Sequence, residues 1–253
     1  MKFSIVIPTI PSHHRFLPKL VLHLVSHESL IFEILIVSSS TSSEQLAKLR
    51  RKISDVDSLP PIRILSTSEK RTAGENRNFG WDSASAEYIM FIDADDWYSN
   101  DRARIIGEVI EATNADLVLH NYWKLKPKFF LNQNAVLDMS NWLRSKELVA
   151  ATWEGTARNV DEELGIRGDT NVIARDQHGK SWPIQHGHVT IRRQVNIRFS
   201  NRYGEDGMMV RDALERGFDV LYIPNKLSIY NQISLYFILR STYRYFKSLF
   251  QVN

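Results

Sequence analysis

The stretch Tyr88-Ile89-Met90-Phe91-Ile92-Asp93-Ala94-Asp95-Asp96 runs from five apolar residues straight into carboxylates. A short, continuously apolar run is the pattern of a strand buried on both faces. Charge is costly to bury unless it is paired or metal-bound, so the carboxylates mark where the strand leaves the core. Asp93 and Asp95 are two apart, and alternate residues of an extended chain share a side. Two carboxylates on one side suit Mg²⁺ or Mn²⁺, which take oxygen ligands. Such an ion can bridge a diphosphate and neutralise the charge of a leaving group. The competing reading is a plain loop, or a cap for the next helix.

Upstream, similar runs recur at Phe3–Pro8 (FSIVIP), Glu33–Val37 (EILIV) and Ile62–Leu65 (IRIL). Between them Arg15–Ser26, Ser43–Ile53 and Thr72–Ala84 read as helices, with Leu46, Leu49 and Ile53 on one face of the second. Strands alternating with helices predict a doubly wound α/β domain whose sheet is covered on both faces. Ligands bind such sheets at the carboxyl ends of the strands. Thr72-Ala73-Gly74-Glu75 fits a capping box. The helix start, Arg71 to Asn78, offers free N–H groups to a phosphate, with Arg71 or Arg77 adding a bidentate contact. A solvated, salt-bridged helix face is the alternative.

Downstream, residues 121–182 are rich in Trp, Asn, Lys and Asp, with weak periodicity. His186 and His188 share a face if extended, and could ligate a metal, touch substrate or sit at the surface. Glu205 and Asp206 open a helical pattern that closes at Gly217. A helix start favours their ionised forms, as a general base requires; a simple N-cap pair is the alternative. Val220–Pro224 is strand-like. Ile233–Phe250 mixes aromatics with Arg240, Arg244 and Lys247. It reads as a core-covering or oligomer-contact helix, or as one lying in a membrane interface.

The chain has no cysteine, which excludes disulfides, thiolate zinc sites and a Cys nucleophile. Its net charge of +3 comes without a Lys/Arg block or a nucleic-acid module, so no nucleic-acid partner is expected. The first residues read as a strand rather than a signal peptide. No apolar stretch is long enough to span a bilayer. The expected location is cytoplasmic, with peripheral contact at the inner membrane face if the tail is interfacial.

Four segments together resemble the family 2-like glycosyltransferases of the GT-A fold. They are SIVIPT (Ser4–Thr9), EILIV (Glu33–Val37), AGENRNFGWDSASAEYIMFIDADDW (Ala73–Trp97) and GEDGMMVRDALERG (Gly204–Gly217). The resemblance implies a Rossmann-like, mixed but mainly parallel sheet flanked by helices. Residues 1–232 would form the transferase domain, 1–120 its nucleotide-sugar half and 121–232 its acceptor half. Residues 233–253 would form a C-terminal aromatic and basic helix. The donor would be a nucleotide-diphosphate sugar, UDP- first, with GDP- and dTDP- as alternatives. The acceptor would be a glycan or lipid-linked hydroxyl in surface polysaccharide synthesis.

By the same resemblance Asp93 and Asp95 take the place of the metal carboxylates, with Mn²⁺ or Mg²⁺ as the ion and Asp95 as the direct ligand. Asp206 takes the place of the base of an inverting displacement, with Glu205 beside it. Pro8, Thr9, Ser38, Ser39, Arg71 and Arg77 fall on the donor side. Two departures stand out. The family's acidic residues after the second strand are replaced by Ser38-Ser39-Ser40-Thr41-Ser42-Ser43, whose hydroxyls carry no charge. No histidine follows His188; the stretch where many members carry one reads Tyr230-Asn231-Gln232. The third metal ligand would then be water or His186. Two rivals remain: a carbohydrate- or nucleotide-binding module without turnover, and a sugar-phosphate nucleotidyltransferase. The second is disfavoured by Pro8-Thr9-Ile10-Pro11-Ser12, which stands where those enzymes carry a Gly-rich, Arg-containing loop.

Overall fold

The computed structural model describes residues 1–25, 28–54, 60–124, 189–202 and 204–230, with the backbone of four short strands between 158 and 183. The first half is β1 (Phe3–Thr9), α1 (Leu17–Val25), β2 (Ile31–Ser38), α2 (Ser43–Ser54), β3 (Ile62–Ser66), α3 (Ala73–Ser83) and β4 (Tyr88–Phe91). Each matches a run read from the sequence, within two residues at either end. Then follow β5 (Trp97–Tyr98), α4 (Arg102–Thr113), β6 (Leu117–Lys124), β7 (Arg158–Asn159), β8 (Leu164–Arg167), β9 (Asn171–Arg175) and β10 (Ser181–Pro183). The second half closes with β11 (Val189–Arg192), α5 (Glu205–Glu215) and β12 (Val220–Tyr230). No run read from the sequence corresponds to β5, α4, β6 or β11. The predicted tail helix at 233–253 lies outside the described residues. Among these residues no helix is long and apolar enough to cross a membrane.

The main sheet has the order β3-β2-β1-β4-β11-β6-β12-β5. β3, β2, β1 and β4 are parallel, as are β6 and β12. β11 enters antiparallel between β4 and β6, and β5 and β7 pair antiparallel with β12. The architecture is therefore a mixed α/β sheet flanked by helices, as the resemblance implies. β8, β9 and β10 form a separate antiparallel sheet.

The apolar runs are continuous because the pleat feeds two cores. Ile5, Ile7, Ile34, Ile36, Tyr88 and Met90 pack with α1, α2 and α4 on one face. Val6, Leu35, Val37, Ile89 and Phe91 pack with α3 and α5 on the other. Helix α3 carries the predicted capping box. The Thr72 hydroxyl accepts the Glu75 N–H, and the Glu75 carboxylate accepts the Thr72 N–H. Helix α5 ends as predicted at Gly217, in the left-handed region at φ +75. Gly217 N–H donates to Leu214 O, and Phe218 N–H to Ala213 O. These are the two bonds of a Schellman ending.

At the amino ends of the strands, buried Glu33 accepts from the Ser4 hydroxyl (2.9 Å), the Ser85 N–H (2.7 Å) and Arg63 (2.9 Å). Burial pushes its pKa up, but the hydrogen bonds from Ser4, Ser85 and Arg63 together win and hold it below the ordinary value. The knot ties the turn before β4 to β1 and β2.

Two outcomes are expected. Gly80→Ala should destabilise by about 1–3 kcal/mol in urea unfolding, although alanine is the better helix former. The added Cβ would lie 2.4 Å from Val6 Cγ1, inside the core. Glu33→Gln should cost about 1–3 kcal/mol near neutral pH, through buried partners left unpaired. A carboxylate with a depressed folded pKa stabilises fully above its unfolded value of about 4.3, and that stabilisation is lost as pH falls through the lower folded value. The variant should therefore show a shallower loss of stability on acidification than wild type; parallel pH curves would contradict the assignment.

Candidate active site

The order 3-2-1-4 reverses between β1 and β4, and in an open α/β sheet the crevice at such a reversal is where ligands bind. Thr9 closes β1, and Ile92 N–H donates to Val6 O at 3.0 Å, which carries β4 alongside it up to Asp93. The chain then turns: Asp96 N–H donates to Asp93 O at 3.2 Å, and Asp93 N–H donates to the Tyr98 hydroxyl at 2.9 Å. Asp95 stays half-buried on this loop and Asp96 is buried.

Arg77 joins the loop to a helix more than a hundred residues away. It projects from the middle of α3 and is 1% exposed. Its Nη2 donates to Asp93 Oδ1 at 2.7 Å and its Nη1 to Glu205 Oε1 at 2.9 Å. Its guanidinium also lies 5.4 Å from the centroid of the Phe199 ring. Burial works against the charge, but Asp93, Glu205 and Asp206 more than offset it and hold the pKa above the ordinary value. The first turn of α5 is thereby drawn to the end of β4, and buried Asp206 comes with it.

The neighbouring Asn78 fixes the approach. Its Nδ2 donates to Phe199 O at 2.8 Å and its Oδ1 accepts the Phe199 N–H at 3.0 Å. Gly74 allows the close contact, because a Cβ there would meet Ser200 O at 2.3 Å. The Arg-Asn step thus serves two ends. One side chain holds charges, and the other holds the segment that leads into α5.

Ser38 and Ser39 face inward. Register sets Pro8 beside Val37 and Thr9 beside Ser38 at the carboxyl ends of β1 and β2. Both serines are fully buried. Ser38 Oγ lies 2.7 Å from His14 Nε2 and 2.7 Å from Thr41 Oγ1; Ser39 Oγ accepts from Asn76 at 2.9 Å. The serine run thus forms a hydrogen-bonded turn, with its two leading hydroxyls engaged inside the protein. Arg71 stays near the surface, 4.8 Å from the Phe79 ring centroid. The structure brings together Arg77, Asp93, Glu205 and Asp206, sets Pro8, Thr9, Ser38 and Ser39 at the adjoining strand ends, and keeps Arg71 at the approach to α3. His186 lies outside the described residues.

Tyr230 is a residue that the sequence reading does not assign. The β12–β5 register pairs Ile229 with Trp97, so Tyr230 comes level with Asp96. Its ring meets Tyr122 edge-on at 6.0 Å. Burial, then the charges of Asp96, Asp93 and Asp95, push its pKa up, so the phenol stays neutral. The one available signal is its place at the departure Tyr230-Asn231-Gln232. Among the described residues no group of three or more His, Asp or Glu side chains forms a ready-made metal site. The carboxylates of the loop supply oxygen donors only.

Removing the shared cation should be costly. Arg77→Met should lower stability by about 3–5 kcal/mol, because it leaves two enclosed carboxylates without their counter-charge. Adding Asp93→Asn and Glu205→Gln to it should restore part of that loss, as read by urea unfolding. A single variant as stable as wild type would contradict the clamp.

Residues 4–216 match the family model described as "Glycosyl transferase family 2". A curated relative, "Succinoglycan biosynthesis protein ExoO" of Rhizobium meliloti (strain 1021), is 24% identical over 82% of this chain and 54% of its own length. The chain thus spans about half the length of that relative. Among solved structures, S. aureus TarS 1–349 in complex with UDP-GlcNAc superposes with TM-score 0.57 at 14% identity, over 92% of this chain and 59% of that one. The mannosyltransferase PcManGT from Pyrobaculum calidifontis, in complex with GDP-Man and Mn²⁺, gives TM-score 0.59 at 14% identity, over 92% and 58%. The glucosyl-3-phosphoglycerate synthase of Mycobacterium tuberculosis, in complex with Mn²⁺, UDP and glucosyl-3-phosphoglycerate, gives TM-score 0.53 at 12% identity, over 94% and 74%. These likenesses establish the GT-A-like fold. With the family model covering most of its length, the chain belongs to glycosyl transferase family 2.

Proposed function

We propose that the protein transfers a sugar from a nucleotide-diphosphate donor to a hydroxyl of a glycan or lipid-linked acceptor, with inversion at the anomeric carbon. The carrying observation is the Arg77 bridge, which holds Asp93 at 2.7 Å and Glu205 at 2.9 Å. It gathers a donor-side carboxylate loop and an acid-bearing helix start at one end of the sheet. The name of the curated relative supports a role in polysaccharide synthesis. The complexes of the similar structures support a nucleotide sugar, UDP- first with GDP- as the alternative.

The donor set fits a hard divalent cation. Mn²⁺ and Mg²⁺ are commonly held by one or two carboxylates, with substrate phosphates and water completing the shell. Asp95, supported by Asp93, would hold the ion, so three converging protein ligands are not required. When bound, the ion would neutralise charge on the diphosphate. Pro8 and Thr9, backed by the Ser38–Ser39 turn, would shape the nucleoside side, and Arg71 would meet the donor at the start of α3. Asp206 would take the proton from the acceptor hydroxyl. That oxygen would form the new bond to the anomeric carbon as the bond to the diphosphate oxygen breaks, its electron pair leaving with the nucleotide. Glu205, paired with Arg77, would keep the helix start aligned. Residues 1–120 serve the donor and 121–232 the acceptor in this reading.

Two measurements test it. UDP, GDP and dTDP, with and without Mn²⁺, are compared by thermal shift on wild type and Asp95→Ala. One nucleotide should raise the melting temperature in an Mn²⁺-dependent way that Asp95→Ala loses. Asp206→Asn should keep that binding yet lower the transfer rate by about 10²–10⁴-fold. Equal, background-level rates in wild type and Asp206→Asn would favour a binding module without turnover.

A further inference from the structure

A second enclosed guanidinium lies behind the carboxylate loop, on the α4 side of the sheet. Arg102, the first residue of α4, is 2% exposed. Its Nη2 donates at 3.2 Å to the carbonyl of Phe91, which ends β4. Its guanidinium carbon lies 4.6 Å from the centroid of the Tyr98 ring. The Tyr98 hydroxyl in turn accepts the Asp93 N–H at 2.9 Å. The network therefore grips the loop before Asp93, at Asp93 itself, and after Asp96.

The network has its own anchor. Arg102 Nε donates to His120 Nε2 at 2.9 Å, and His120 Nδ1 lies 2.7 Å from the carbonyl oxygen of Asn121. A carbonyl only accepts, so Nδ1 carries the proton and Nε2 receives the bond from Arg102. Burial first, and then the charge of Arg102, hold the His120 pKa well below the ordinary value. Burial lowers Arg102 to about 10, against the pull of Tyr98, Asp96 and Asp93, so it remains a cation at neutral pH. A neutral imidazole thus orients a charged guanidinium, which supports a phenol, which holds the backbone of the loop.

We propose that Arg102, with His120 behind it and Tyr98 in front, is a positioning residue that sets the loop geometry of Asp93 and Asp95 for a metal-bound nucleoside diphosphate. The inference rests on the donor reading above. Arg102 acts through Tyr98 and the β4 terminus without touching the donor. Partners that hold a metal ligand in place typically contribute about 10- to 100-fold to metal affinity.

The test uses the whole chain and four variants. Tyr98→Phe removes one hydroxyl and keeps the ring. Arg102→Lys keeps the charge and loses the fork. His120→Gln keeps an acceptor for Arg102, whereas His120→Leu removes it. The Mn²⁺ concentration for half-maximal stabilisation by UDP, GDP or dTDP should rise about 10- to 100-fold in Tyr98→Phe, Arg102→Lys and His120→Leu, and return towards wild type in His120→Gln. Amide exchange at Asp93 in metal-free protein should quicken in Tyr98→Phe. If Arg102→Lys fails to fold, Tyr98→Phe and the two His120 variants decide. Wild-type Mn²⁺ dependence in folded Tyr98→Phe and His120→Leu would overturn the positioning role and leave the donor reading standing. A wild type that binds none of the three nucleotides with Mn²⁺ would overturn both.

Discussion

The site depends on one enclosed cation. Arg77 sits where neither water nor a flexible partner can compensate its charge, so its two carboxylates must both be in place. Buried ion pairs of this kind add little net stability when compared with well-packed apolar groups, but breaking one is expensive. That asymmetry makes the clamp a device for registry. It specifies which turn of α5 meets which residue after β4, and a slip of one residue in either element would strand a charge.

The surroundings extend the same logic to both faces of the sheet. Arg77 approaches the loop from the α3 side and Arg102 from the α4 side, the first through a side chain and the second through backbone and a phenol. Between them lie Asp93, Asp95 and Asp96, with Glu205 and Asp206 close by. Carboxylates outnumber guanidiniums in this cluster, an excess of negative charge that suits the divalent cation proposed above. Tyr230, kept neutral by burial and then by that same field, borders the loop without adding to the charge.

Much of the first half was legible in the sequence, because a strand buried on both faces leaves an unbroken apolar run, α1 and α2 each have one apolar side, and α3 opens on a capping box. The candidate site was legible in parts. Asp93, Asp95 and Asp206 stood out as carboxylates placed where an apolar element ends or a helix begins. Their assembly was not, since Arg77 and Glu205 are 128 residues apart and nothing in composition links them. Local pattern left Arg71 and Arg77 equivalent. Burial separates them, because Arg77 is enclosed while the Arg71 side chain keeps 28% of its exposure. The serines after β2 read as hydroxyls open to a ligand, but polarity alone does not show that Ser38 meets His14 or that Ser39 meets Asn76. Ile105, Ile106, Val109 and Ile110 of α4 do carry helical spacing, a signal present but unmarked, preceded by an arginine that looks solvent-facing and is not.

The clamp also orders events in time. Asp93 follows Arg77 by 16 residues, so the two can meet once β4 lies beside β1, whereas Glu205 leaves the ribosome far later. β11, which lies between β4 and β6, likewise arrives about a hundred residues after β4. Non-local pairings must close long loops before they are rewarded, so they come late. A nascent chain ending before β11 would have Arg77 only half neutralised and one edge of β4 open. The open edge is an exposed template for strand pairing; β11 closes it, and the first turn of α5 then supplies the second counter-charge of Arg77.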